Sequence, residues 1–257
     1  MLNNCSNVTI SGYQFVDIAG DAIVLNNCSN VTVTANDFSG DVGGIYAYDS
    51  ANITVTWNRF QDIGDGTIGG GHSNYIQFNG TTGGLIANNK GIGGNTVDMI
   101  SIYESGGTAA SPLVVEDNAL ESPLPPATDA WSSGSGTCIN AADGGGSYIE
   151  VEGNTCLNGG QVGIAVSGGS NISVDSNIVY GSERAASNVG MYVWNQTSGT
   201  CSNIEAGGNR VFWLTESGAA NPAWESGNCG TVTNWDVNNT NVWQDTTIDP
   251  TTLQVTL

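Results

Sequence analysis

"NNCSNVTVTANDF", residues 26–38, repeats "NNCSNVTISGYQF", residues 3–15, at a distance of 23 residues. Within the phrase, Val31 and Val33 alternate with Thr32 and Thr34, the pattern of a strand with one buried face. Asn36 ends the alternation and Phe38 follows two places later. With Asn36 as a register mark, the same device returns in "ITVTWNRF" (Asn58), "GLIANNK" (Asn88 or Asn89), "LVVEDNAL" (Asn118), "IEVEGNTC" (Asn154), "ISVDSNIV" (Asn177) and "IEAGGNRV" (Asn209). A second apolar strand precedes each, as in "AIVL" at 22, "GIYAY" at 44, "MISIY" at 99 and "VGMYVW" at 189. One such unit cannot bury its own inward side chains; stacked units bury them as a continuous ladder. Asparagine is expected to form the bend, because it tolerates a left-handed backbone and its amide can bond to its copies above and below.

The repeat and its asparagine bend resemble the right-handed parallel β-helix superfamily, the architecture of pectate lyases, polygalacturonases, phage tailspikes and bacterial adhesins. The resemblance implies an all-β solenoid of about eight coils over residues 1–215, with an irregular capping segment at 216–257 of the same domain. Trp224, Trp235 and Trp243 are expected to close that end. No specific enzyme family is matched. The polygalacturonase signatures are missing apart from a faint echo in "GGHS" (70–73), and the lyase pattern of a basic residue among calcium-binding acids is not found.

Composition supports short strands and turns: 37 glycines, 6 prolines, and much Asn, Thr and Ser. The balance of 24 acids against 4 Lys and Arg, a net charge of −20, repels phosphates and anionic membranes. Nucleic acid is therefore excluded as a partner, and a polyanionic sugar is disfavoured unless a divalent cation bridges it. No apolar run is long enough to insert in a membrane. No leader is visible before the first repeat. The first coil is then expected to show a bare strand ladder, which would favour homo-oligomers or end-to-end stacking.

Cys5 and Cys28 hold the same place in consecutive repeats and are expected to stack as small apolar side chains. Cys138, Cys156, Cys201 and Cys229 suit one or two disulfides in an exported protein, with Cys201–Cys229 the preferred pair. The place of action is then extracellular, on a cell surface or on a virion.

Alternation also sorts the second strands into faces. With Ile45, Ile76, Ile100, Ile164 and Met191 inward, the outward rows read Val24, Tyr46, Gln77, Ser101, Asn140, Ala165, Tyr192, then Asn26, Tyr48, Asn79, Tyr103, Ala142, Ser167, Trp194. Exposed aromatics interleaved with amides grip sugars, rings on apolar faces and amides on hydroxyls. The same rings could equally be packing beneath loops or a subunit contact. One place further, Asp49, Glu104 and Asp143 would stack, with Glu104 and Asp143 one coil step of about 4.8 Å apart. Such a pair suits a retaining glycosidase or a calcium ion, the one cofactor considered. A solvated acidic edge would look the same.

Insertions at 61–74, 121–136 and 181–188 would bring His72, Asp62, Asp65, Asp98, Asp129, Trp131, Glu183 and Arg184 towards this face. The expectation is a carbohydrate-active protein that binds a polysaccharide along the aromatic groove through Tyr46, Tyr48, Gln77, Tyr103, Arg184, Tyr192 and Trp194. If it cleaves, a glycoside hydrolase is favoured over a lyase, with Glu104, Asp143, Asp98 and His72 as the candidate catalytic groups. The alternative is a non-catalytic tailspike or fibre segment, adhesin or filament subunit.

Overall fold

The computed structural model describes residues 1–64, 73–122, 136–235 and 240–257. Each repeat forms one coil of three short strands. In the second coil these are Asp21–Asn26, Ser29–Thr34 and Asp37–Ser39. Every strand pairs in parallel with its counterparts one coil before and after, which builds three parallel sheets of nine, eight and nine strands. We call them A, B and C in the order in which a coil visits them. The fourth coil enters sheet A at Asn74–Asn79, the fifth at Asp98–Tyr103, the sixth at Thr137–Asp143, the seventh at Val162–Val166 and the eighth at Val189–Val193.

Strand pairing continues beyond residue 215. Ala223–Glu225 adds a ninth strand to sheet A and Val242–Trp243 a ninth to sheet C. The segment expected to be a cap is thus partly a further coil. It then turns into a short helix, Pro250–Leu253, capped at its N-terminus by Asp249. The chain runs back over the outside of sheet C. Arg210 pairs with Asp245 at 2.7 Å, Val255 N–H donates to Glu121 Oε2 at 2.9 Å, and Lys90 Nζ donates to the Thr256 carbonyl at 2.8 Å.

The core is the row-by-row stack that the alternation predicts. Val8, Val31 and Ile53 lie in register on sheet B, and Ile45, Ile76 and Ile100 on sheet A. From Val31 on, these side chains are fully buried. Phe15, Phe38 and Phe60 stack at 4.9 and 4.8 Å between ring centres, and Tyr75 from sheet A extends the stack at 5.4 Å. The next residue of that row is Gly91, where a Cβ would lie 2.2 Å from the Tyr75 ring. Here glycine is required by close approach.

The asparagine marks form one unbroken ladder. The side-chain Oδ1 of Asn58 accepts both the backbone N–H and the Nδ2–H of Asn36, each at 3.0 Å. The same double bond repeats through Asn89, Asn118, Asn154, Asn177, Asn209 and Asn241. Asn89, not Asn88, is the rung. One expectation needs correction. The left-handed backbone belongs to the residue before the rung, as at Ala35, Trp57, Asn88, Asp117 and Ser176, with φ between 52° and 60°. The rung itself is buried, and its amide satisfies backbone groups that would otherwise be orphaned in the bend.

Two disulfides close, Cys138–Cys156 and Cys201–Cys229, the second as expected. Cys5 and Cys28 are unbridged neighbours, and Cys28 is buried.

Candidate functional site

The outer face of sheet A carries the first predicted row without a break. Val24, Tyr46, Gln77, Ser101, Asn140, Ala165 and Tyr192 pair successively, and Trp224 continues the row in the ninth coil. Asn26, Tyr48, Asn79 and Tyr103 follow the second row. The sixth coil then departs from it. A bulge after Asn140 places Asp143, not Ala142, opposite Tyr103. Ala142 is the extra residue, buried and left-handed at φ 57°.

The bulge changes the acidic arrangement. Asp49 and Glu104 occupy the left-handed turn that ends the strand, both at φ 47°. Gly144, not Asp143, follows them in that turn, where a Cβ would lie 2.9 Å from Glu104 Cγ. Glu104 and Asp143 are therefore not successive members of one turn row. Asp143 instead stands on the sheet and faces a cleft of about 410 Å3 that Asp98 also lines.

This cleft lies on the outer face of sheet A, beside Asn140 and Tyr192. Thr137, Asn140, Asp98 and Asp143 line one part of it, and Tyr192, Trp194 and Trp224 another. Asp98 is buried, which raises its carboxyl; the Asp143 carboxylate adds to this, while hydrogen bonds from Thr137 and Asn140 oppose it. The result is a carboxyl pushed up to about 7, able to hold a proton near neutrality. Asp143 is also raised, by burial first and then by Glu104, against a hydrogen bond from the Gly144 N–H.

A polar chain fixes these groups. Asn74 Oδ1 accepts the Asp98 N–H at 2.9 Å, and Asn140 Nδ2 donates to Asp98 Oδ2 at 3.3 Å. Ser167 Oγ donates to Asn140 Oδ1 at 2.8 Å and lies 2.9 Å from the Tyr192 hydroxyl, which also accepts from Gln196 at 2.5 Å. Tyr192 is thereby held as a wall. Burial pushes its phenol up to about 12. Trp194 and Trp224 rest edge-to-face at 5.8 Å, and each keeps more than two-fifths of its surface exposed. Such exposure departs from the usual burial of large aromatics.

The structure thus gathers Asp98, Asp143, Tyr192 and Trp194 in one cleft. Tyr46, Tyr48 and Tyr103 lie outside it on the same face towards the N-terminus; Tyr48 is exposed, and Tyr46 accepts a hydrogen bond from Asn79. Gln77 is buried and accepts from Asn74. Arg184 is buried in the turn before the eighth coil, donates to the Asn158 carbonyl and is not part of the cleft lining. His72, Asp65, Asp129 and Trp131 lie outside the described residues. Trp224 was missed as a site residue because it falls after the regular repeat. Among the described residues no three His, Cys, Asp or Glu side chains converge as a metal site.

Comparison agrees with this architecture. Residues 1–122 match the family model described as right handed beta helix region. The protein is a right-handed parallel β-helix. No curated protein matches the chain. The cleft straddles the end of the matched region: Val97 and Asp98 lie inside it, while Asp143, Tyr192, Trp194 and Trp224 lie beyond residue 122. The match covers the first coils alone, and a shared fold carries no chemistry of its own.

Proposed function

We propose that this β-helix binds a neutral or weakly charged polysaccharide along sheet A and hydrolyses it in the cleft between Asp98 and Trp224. The observation that supports this reading is one concavity that joins a buried, proton-holding carboxyl to two exposed indoles. The indoles offer faces for sugar rings, and the amides and hydroxyls around them suit sugar hydroxyls. Asp98 is placed to give a proton to a departing glycosidic oxygen. Asp143, the more open carboxyl, is its partner as base or nucleophile. No Lys or Arg is found among the described residues that line the cleft, so a lyase that relies on a Lys or Arg base has no candidate for it there. The net charge of −20 further disfavours a polyanionic substrate. Two disulfides fit an extracellular place of action.

The test is a panel of neutral and acidic polysaccharides assayed for new reducing ends and for binding. Asp98→Asn and Asp143→Asn should each lower hydrolysis at least about 100-fold while binding persists. Binding without hydrolysis in the parent protein would leave a sugar-binding module. Absence of both would overturn the proposal.

The alternative of a stacking fibre or adhesin module draws on the first coil, where Val8, Ile10 and Phe15 border an apolar depression of about 410 Å3. Sedimentation across a concentration series distinguishes it, since a monomer throughout would exclude stacking.

A further inference from the structure

We propose that Cys5 and Cys28 close a third disulfide, which joins the first coil to the second. Their sulfurs lie 2.6 Å apart, closer than unbonded sulfurs rest and roughly half an ångström beyond the bond length of about 2.05 Å. The backbone sets this approach. The Asn4 N–H donates to the Asn26 carbonyl at 2.9 Å and the Ser29 N–H to the Cys5 carbonyl at 2.8 Å, so the two residues are locked in register on adjacent coils. The coil step of about 4.8 Å falls inside the Cα separation that a disulfide spans, about 4.4–6.8 Å. Cys201–Cys229 already bridges at 4.5 Å in the same molecule.

The position has another use that thiols serve poorly. Ser50 and Ser105 continue the same row, and their hydroxyls accept the N–H of Cys28 at 3.1 Å and of Thr81 at 2.8 Å. A hydroxyl is the better acceptor, and sulfur a weak one. The row therefore explains a small polar residue here but not two successive cysteines. The other four cysteines are all bridged, which leaves this pair as the one unbridged couple.

The chemistry needs a two-electron oxidant, such as a small-molecule disulfide. Cys5 is the more accessible thiol. Its thiolate attacks one sulfur of the oxidant and releases one thiolate. The Cys28 thiolate then attacks the Cys5 sulfur of the mixed disulfide and expels the second. Two protein thiols lose two protons and two electrons, and the oxidant becomes two thiols. Burial, with Cys28 beside it, pushes the Cys5 thiol up to about 11. Closure should then be slow near neutrality and quicken about tenfold per pH unit in proportion to the thiolate.

The test is to incubate the folded full-length chain with excess oxidised glutathione at pH 7, 8 and 9. Thiols are then blocked, and the protein is mapped by proteolysis without reduction. The expected result is joint loss of two titratable thiols and a peptide pair linking Cys5 to Cys28, formed about tenfold faster per pH unit. In Cys28→Ser, whose hydroxyl reproduces the Ser50 arrangement, Cys5 should instead retain one glutathione. A protein isolated with no free thiol and the same linked pair would also bear the proposal out. Two thiols that persist after exhaustive oxidation, or that each carry glutathione, would overturn it.

Discussion

Tyr103 stands opposite Asp143 across the fifth and sixth coils, with Ala142 accommodated as an extra residue just before it. This offset moves one carboxylate from the edge of the sheet onto its face and so completes the cleft. It also forces a buried alanine into a left-handed backbone, which costs an L-residue about 1 kcal/mol. Ala142→Gly should therefore be at least as stable as the parent. Ala141→Gly, in the buried strand beside it, should lose about 1 kcal/mol. Paired urea titrations measure the contrast.

Asp98 makes stability depend on pH in a definite direction. Its carboxyl titrates at about 7 in the fold against 3.8 as the ordinary value. Between these values the folded chain holds a proton that the unfolded chain has lost, so the contribution falls as pH rises from about 4 to about 7 and is flat above. At about 1.4 kcal/mol per pKa unit the effect is at most about 4 kcal/mol. Asp98→Asn should lack this slope in denaturation series at successive pH values. If Asp98 is the proton donor, hydrolysis should also decline above pH 7 in the parent.

The indole pair should account for much of the sugar affinity. Trp194→Ala and Trp224→Ala are each expected to weaken polysaccharide binding about tenfold, or about 1.4 kcal/mol. Trp57, more exposed than either but on the turn between sheets B and C, should be replaceable by alanine without effect on binding. Affinity electrophoresis against the best polysaccharide reads all three.

The asparagine ladder predicts a graded series. Asn118→Ala removes the acceptor for two buried donors of Asn89 as well as its own bonds to Asn154 and the Ile86 carbonyl. Each stranded buried donor costs about 1–3 kcal/mol, so a loss of roughly 3–5 kcal/mol is expected. Asn36→Ala, at the first rung, frees one backbone donor, that of Tyr13, and should cost less. Equal losses at both positions would show that the ladder does not act through its rungs.

The scaffold was legible because each rung and each inward Val or Ile answers to the same local rule, repeated. The outward row from Val24 to Tyr192 could be read for the same reason. Three features were not legible. The bulge at Ala142 obeys no period, because an extra residue changes no alternation until the strand has passed it. Arg184 sits in a turn whose path is set by tertiary contacts, so its burial and its bond to the Asn158 carbonyl could not be read from the repeat. Trp224 lies on a three-residue strand, too short to display alternation.

The returning C-terminal tail has a consequence for how the molecule comes apart. In a solenoid each coil touches only its neighbours, and ends can melt while the middle persists. Here Val255 meets Glu121 and Thr256 meets Lys90, contacts that span 134 and 166 residues, whereas rungs of the ladder are 22–36 residues apart. The tail therefore couples the last coils to the fourth and fifth, and neither group can open without loosening the other. A linear array becomes a closed cooperative unit. Deletion of residues 249–257 should broaden thermal unfolding and lower the ratio of van't Hoff to calorimetric enthalpy, while the intact chain melts in one step.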